Sequence, residues 1–393
     1  MATKLSQRVQ RIKPSPTLAV TARAAALKAQ GQDIIGLGAG EPDFDTPDHI
    51  KDAAKAALDR GATKYAPVPG TPGLKKAIVA KFARDNELTY STDQILVSVG
   101  GKQSFYNLFQ ATIDDGDEVV IPAPYWVSYP DMVQLAGGEP VIVKTDIDTG
   151  FKMTPDQLDA AITDRTRCVV INSPSNPTGK AYTRAELAAL GEVLARHPDV
   201  IVATDDMYEH ILWTEAPFVN IVNATPALFD HAIVMNGVSK AYSMTGWRIG
   251  YAGGPTDLIK AMSKIQSQST SGATTVSQEA AQVALDGDQG CVADMVRAFK
   301  ERHDFVVAAL NDLPGVRCLE SDGTFYSFPD FSEAIARNGA DDDLAFSEML
   351  IEKAGVALVP GSAFGAPGYL RLSFATSMKN LENALSRIRD ILK

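Results

Sequence analysis

Cysteine is scarce: three residues in 393, at Cys168, Cys291 and Cys318. They are widely separated and odd in number, so they offer neither a disulfide framework nor a metal-ligand spacing. Reduced thiols in a cytoplasm fit them, and no metal site is expected. There is also no apolar run near the roughly 20 residues that cross a bilayer, so no membrane partner is expected. The first 13 residues carry no apolar signal-peptide core, which again points to a cytoplasmic protein. Basic residues are in deficit: 37 Lys and Arg against 48 Asp and Glu leave a net charge of −11. That balance argues against nucleic acid as a partner, yet leaves room for a local basic pocket that takes a small acidic ligand. Internal repeats and low-complexity segments are missing.

What is present is ordinary globular composition, 45% hydrophobic and 22% charged, over a length that suggests two or three domains. The most informative stretch runs from Asn236 to Tyr251. It follows Ala232-Ile233-Val234-Met235, which reads as a buried strand. A lysine soon after such a strand, Lys240, is costly to desolvate. Desolvation lowers an ammonium pKa, and a neutral amine attacks aldehydes. Arg248 and the hydroxyls of Ser239, Ser243 and Thr245 nearby suit a phosphate. An aldehyde carrying a phosphate is pyridoxal phosphate. A solvated loop with two surface charges is the alternative for this stretch taken alone.

Gly36, Gly38 and Gly40 invite a dinucleotide-binding reading, which requires a helix to follow. Glu41-Pro42-Asp43-Phe44-Asp45-Thr46-Pro47 follows instead, with acids that repel a pyrophosphate. A nicotinamide dehydrogenase is therefore disfavoured, and the glycines read as close backbone approaches or turns. Ile95 to Ser98, then Gly100-Gly101, then a helix from about Lys102 to Ile113 is a context that does favour an anion. Further strands are expected at Asp117–Pro122, Pro140–Lys144, Arg167–Asn172 and Val200–Thr204. Helices are expected over 15–31, 48–60, 74–86, 156–162 and 184–196.

Strands alternate with helices from about residue 95 to 255. This is the pattern of an α/β protein with a mostly parallel, doubly wound sheet. Ligands of such sheets bind at the carboxyl ends of the strands. Gly101-Lys102, Trp126, Asn176, Asp205, Tyr208 and Lys240 all fall at those ends.

On these residues the chain resembles the class I aminotransferases, pyridoxal-phosphate enzymes of fold type I. The resemblance spans nearly the whole chain. Its segments are Lys13-Pro14-Ser15, Gly38 to Phe44, Lys64-Tyr65, Gly100 to Gln103, Pro124 to Tyr129, Asn172 to Gly179, Asp205 to Glu209, Ser239 to Tyr251 and Tyr369 to Ser373. It is nearest to bacterial aspartate aminotransferases of the subgroup whose members often also use prephenate.

The resemblance implies that Lys240 forms the Schiff base and shuttles the proton at the substrate Cα. It implies that Asp205 pairs with the pyridine nitrogen and that Asn176 and Tyr208 bond the ring oxygen. Trp126 stacks on the ring, while Gly101, Lys102, Ser239 and Arg248 hold the phosphate. Tyr65 reaches the phosphate of the neighbouring subunit, which makes a homodimer. Arg371 grips the substrate α-carboxylate in a two-bond geometry that lysine cannot copy, and Gly40 offers backbone to it. Lys102 contributes to recognition of the distal carboxylate, and Lys13 comes from an N-terminal segment that closes over the substrate. No arginine lies in 261–275, where other aspartate aminotransferases supply one from the partner. Asp206 replaces a glutamate found in many relatives and is expected to point away from the ring.

The implied reaction is ping-pong: L-aspartate and 2-oxoglutarate give oxaloacetate and L-glutamate, with prephenate as a possible further acceptor. An aminotransferase or carbon–sulfur lyase of the same fold with another amino-acid substrate is the alternative. A regulator carrying a degenerate domain is a third reading, disfavoured because Lys240 is intact. Residues 48–290 are expected to form a large cofactor-binding domain. Residues 1–47 and 291–393 are expected to form a discontinuous small domain, with a helix over 295–313, strands over 316–320, 324–328 and 370–374, and helices over 344–354 and 379–392.

Overall fold

The computed structural model describes residues 3–393. At its centre is a seven-stranded sheet: β1 (Ile95–Ser98), β2 (Glu118–Ala123), β3 (Glu139–Lys144), β4 (Thr166–Asn172), β5 (Ile201–Asp205), β6 (Ala232–Gly237) and β7 (Gly250–Gly253). Its spatial order is β1-β7-β6-β5-β4-β2-β3. All pairs are parallel except the two made by β7, which runs antiparallel to β6 and β1. Parallel strands covered on both faces read as continuous apolar runs, as in Val169-Val170-Ile171 and Ile233-Val234-Met235, all at most 1% exposed.

Successive side chains of a strand face opposite sides, so each run feeds two cores. Val119, Ile121, Val170 and Ile233 pack with Phe105, Phe109 and Met262 from helices Gly101–Thr112 and Thr256–Ser267. Val120, Val169, Ile171 and Val234 pack with Leu74, Phe82, Leu187 and Ala281 on the other face. Turn chemistry fixes where the covering helices begin. Thr183 accepts the Glu186 amide at 3.2 Å while Glu186 accepts the Thr183 amide at 2.7 Å, a reciprocal cap for helix Arg184–Leu194.

A smaller layer packs beside this sheet. Helices Gly290–Asn311, Asp343–Ala354 and Met378–Leu392 surround short strands Tyr326–Ser327, Val359–Pro360 and Leu370–Ser373. Leu370–Ser373 is central and antiparallel to both neighbours. Ile35–Gly36 pairs in parallel with Val356–Ala357 across more than three hundred residues of sequence. Ile35 and Leu37 thereby join a core with Phe299, Phe325, Leu350, Leu372 and Leu385.

The strand expected over 316–320 does not form. Gly315 turns there at φ +73°, and the Cys318 amide donates to the Asn311 side chain at 2.9 Å instead of to a ladder. Only Arg317 makes a bridge, to Asp330. At the head of the Gly36, Gly38 and Gly40 run, Ile35–Gly36 forms a strand of two residues. Strand β7 and the helices Ser128–Ala136, Thr256–Ser267 and Thr275–Asp286 were not expected from the sequence. Among the described residues no helix is long and apolar enough to cross a membrane.

Candidate active site

The carboxyl ends of β1, β2, β4, β5 and β6 open on a cleft of about 450 Å³ whose far wall comes from the smaller layer. Gly40, Gly101, Lys102, Trp126, Asn176, Asp205, Tyr208, Ser239, Lys240, Arg248 and Arg371 all line it. These residues span 331 positions of sequence (371 − 40).

Lys240 stands three residues beyond β6 and donates from Nζ to the Gly40 carbonyl at 2.6 Å. Its amine lies 6.0 Å from the Tyr208 ring centre and 5.9 Å from that of Phe325. Desolvation, reinforced by the positive charges of Arg371 and Arg248, brings its pKa down to about 8. The amine therefore loses its proton far more readily than an ordinary lysine, as a nucleophile toward carbonyls must.

Asp205 ends β5 in a buried position. Tyr129 donates its hydroxyl to Oδ2 at 2.5 Å, and the Met207 amide donates to Oδ1 at 3.3 Å. Desolvation pushes its pKa up to about 6 against these two bonds and the Lys240 charge. No basic side chain pairs with it among the described residues. A buried carboxylate facing a cleft without a counter-ion suits a cationic ligand atom such as a protonated ring nitrogen.

The turn between β1 and helix Gly101–Thr112 has the geometry that suits an anion. Gly100 sits at φ +82°, and a Cβ there would meet the Arg248 guanidinium at 2.3 Å. The backbone conformation requires glycine here, and a side chain would also push the guanidinium aside. A Cβ on Gly250 would meet the Gly101 amide nitrogen at 2.3 Å, so β7 presses this turn from behind. Arg248 and Ser243 hold left-handed backbone, φ +58° and +50°, a conformation that persists only where the surroundings impose it. Arg248 donates to the Thr245 carbonyl at 2.9 Å, which fixes the head beside the helix start. Helix amides, the Ser239 hydroxyl and a guanidinium together fit a phosphate.

Arg371 lies on the central strand of the smaller sheet and is 2% exposed. It donates to Asn176 Oδ1 at 2.9 Å and to the Gly38 carbonyl at 2.8 Å, while its Nε has no partner. The guanidinium stacks over Tyr326, 4.3 Å from the ring centre, and Phe364, 5.0 Å. A buried cation held only by neutral acceptors and aromatic faces suits an incoming carboxylate. The Asn172 side chain accepts the Asn176 amide at 2.8 Å and donates to the Asp205 carbonyl at 3.0 Å, tying the loop after β4 to β5.

Lys102 is at the rim, its Nζ 5.1 Å from the centre of the Trp126 ring. Lys13 is exposed and outside the cleft lining, though its charge acts with that of Lys102 on Asp131. Tyr65 is fully exposed and does not line the cleft of its own chain. Asp206 is fully buried and points into a polar network beneath the cleft, bonded by Thr204 and Asn220.

Three residues escaped the sequence reading. Tyr129 bonds Asp205 across 76 positions. The Tyr326 hydroxyl lies 3.1 Å from that of Tyr208. Glu41 enters the cleft and accepts the Thr245 hydroxyl at 2.9 Å. Glu41 and Tyr129 stand in segments that carry the resemblance, Gly38 to Phe44 and Pro124 to Tyr129, so their positions were usable signals; Tyr326 carries none that separates it from core tyrosines.

The sequence profile described as aminotransferase class I and II matches residues 32–388. An aspartate/prephenate aminotransferase of Nitrosomonas europaea is 60% identical, with 99% of this chain and all of that one covered. One from Cereibacter sphaeroides is 55% identical over 98% of each chain. Among solved structures, an aspartate aminotransferase from Rhizobium meliloti superposes with a TM-score of 0.95 at 47% identity, covering 100% of this chain and 99% of that one. The Thermus thermophilus aspartate aminotransferase with maleate gives 0.93 at 45%, covering 99% and 100%.

Proposed function

Because the chain belongs to the class I and II aminotransferases, we propose that it binds pyridoxal 5'-phosphate in this cleft and moves the amino group of L-aspartate to 2-oxoglutarate, with prephenate as a second amino acceptor. The observation that carries the reading is the pairing in one cleft of a desolvated amine, Lys240, with a buried guanidinium, Arg371, that lacks a carboxylate. The names of the similar proteins support aspartate and prephenate as substrates.

Bound cofactor supplies the aldehyde that takes up the amine and the ring that accepts electrons from the substrate Cα. The chain's own residues do the rest. Arg371 binds the α-carboxylate through two parallel bonds and Gly40 offers backbone beside it. Lys240 then takes the Cα proton as a base and returns it as an acid; a pKa near the working pH suits both roles. Asp205 keeps the ring nitrogen protonated, Asn176 and Tyr208 bond the ring oxygen, and Trp126 covers a ring face. Gly101, Lys102, Ser239 and Arg248 anchor the phosphate. Lys102 and Lys13 favour a second carboxylate on the substrate.

The same reading makes the protein a cytoplasmic homodimer, with Tyr65 reaching across to the neighbouring site; its full exposure in the single chain supports this. Residues 48–290 act as the cofactor-binding domain, and residues 1–47 with 291–393 as the domain that closes on it.

The test is the absorbance spectrum of the cofactor-loaded protein. L-Aspartate should convert the band of the lysine-bound cofactor into that of its amino form, and prephenate should restore the first. A lysine-bound band that ignores aspartate would keep the cofactor and remove the substrate assignment. No band after adding cofactor would overturn the role of Lys240.

A further inference from the structure

The two walls of the cleft meet behind Asn176 in a joint that the reaction does not use. Segment 321–324 of the smaller layer is threaded between two loops that follow strands of the large sheet. On one side the Asp322 and Gly323 amides both donate to the Gly179 carbonyl, at 2.9 and 3.0 Å. The Asp322 carboxylate receives Lys180 Nζ at 2.8 Å and the Ala181 amide at 2.8 Å. On the other side the Thr324 amide donates to the Ile211 carbonyl at 2.8 Å, and the Trp213 amide and indole donate to Asp322 and Ser321 carbonyls at 3.0 and 2.8 Å.

The fit leaves no room for side chains. A Cβ on Gly323 would meet the Ile211 carbonyl oxygen at 2.3 Å, and one on Gly179 would meet Ser321 Cβ at 2.4 Å. Both ends of the joint lead into the cleft. Asn176 stands in the turn closed by the Ser175–Lys180 and Gly179–Ser175 bonds, at 2.9 and 2.8 Å. Tyr326 follows Thr324 by two residues and pairs with Ser373 of the strand that carries Arg371.

We propose that Asp322 is a positioning residue for carboxylate recognition: its carboxylate clamps the Asn176 turn to the Tyr326 segment and so holds Arg371 and Asn176 in register. Arg371 has only neutral acceptors, and one of them is Asn176 Oδ1. A shift between the two walls therefore falls directly on the guanidinium. Asp322 is the one side chain of segment 321–324 whose charge reaches the facing loop, at two points. The kinetic part of this inference rests on the aminotransferase reading; the structural part does not.

The experiment compares wild-type holoenzyme with Asp322→Ala, Asp322→Asn and Lys180→Ala. Amide hydrogen exchange should accelerate about ten-fold in peptides covering 172–182 and 320–328 of Asp322→Ala and stay unchanged elsewhere. KM for L-aspartate and 2-oxoglutarate should rise about ten-fold while kcat at saturation stays within about two-fold. Asp322→Asn, which keeps an acceptor for Ala181, should recover part of both, and Lys180→Ala should match it. Unchanged exchange in the two segments would overturn the clamp. So would acceleration spread over the whole chain, or local acceleration with unchanged KM. If the wild type fails to respond to aspartate, the substrate reading falls, and the exchange data alone then decide the clamp.

Discussion

Two buried polar regions lie one residue apart along the turn after β5, and they are built on opposite rules. Asp205 and Tyr208 face the cleft; Asp206 and Glu209 face the interior beneath it. In the interior Lys81 and Glu209 answer each other's charge, and Asp206, its pKa pushed up to about 8 by desolvation, keeps its proton and is uncharged near neutrality. Lys81 and Glu209, 0% and 2% exposed, form an ion pair. Asn86 accepts from Lys81 at 2.6 Å and donates to Glu209 at 2.6 Å, and Asn236 donates to Glu209 at 2.9 Å. Asp206 accepts from Thr204 at 2.6 Å and Asn220 at 3.2 Å. In the cleft, Arg371, Asp205 and Lys240 are held by neutral groups only. Burial alone does not separate a scaffold from a site. Unmatched charge does, because it persists only where a ligand supplies the partner.

The comparison can be broken, starting with the largest expected effect. Lys240→Ala should lower single-turnover transamination by about 10⁴-fold, with no loss of thermal stability, since an uncompensated charge leaves the interior. Arg371→Lys should reduce kcat/KM for L-aspartate by about 10²-fold, and Arg371→Met should lose activity while raising the melting temperature. Across the divide the signs invert. Glu209→Gln strands Lys81 and should cost about 3–5 kcal/mol in denaturant unfolding; adding Lys81→Met should recover part of that loss.

The last effect is on pH dependence. Desolvation, then the Glu209 charge, raises the Asp206 pKa to about 8, so the folded chain holds a proton there that the unfolded chain releases above its ordinary carboxyl value of 3.8. The unfolded state binds fewer protons between these values, so this group lowers stability as pH rises from about 4 to 8. Asp206→Asn should flatten that part of the melting-temperature profile, and an unchanged slope would remove Asp206 from the account.

The cleft was legible in the sequence because parallel buried strands announce themselves as apolar runs, and ligands gather where those runs end. Lys240, Asp205, Asn176 and Gly101 each follow one. Arg371 was legible for a related reason: an arginine inside the apolar segment 369–374 needs a purpose. The interior network was not legible, since Lys81 sits mid-helix with nothing local to mark it as buried, and its partner is 128 positions away (209 − 81). Strand β7 was missed because Gly250-Tyr251-Ala252-Gly253 lacks β-branched residues; its pairing with β6 and β1 outweighs propensity. The expectation over 316–320 failed for the opposite reason: its apolar content suits a strand, but Gly315 and Asn311 capture the backbone first.

The pairing of Ile35–Gly36 with Val356–Ala357 bears on the order in which a ribosome can deliver this molecule. The last strand of the seven-stranded sheet is complete at Gly253, while the smaller layer waits for residues beyond 356, and for Leu370–Ser373, before its first and last portions can meet. Units that close early in synthesis fold first. The nascent chain therefore presents Lys240 and the Gly100-Gly101 turn before it has Arg371, and Ile35 and Leu37 remain without their core for some three hundred residues of elongation. An apolar segment left waiting that long stays open to contacts with other chains until the smaller layer closes over it.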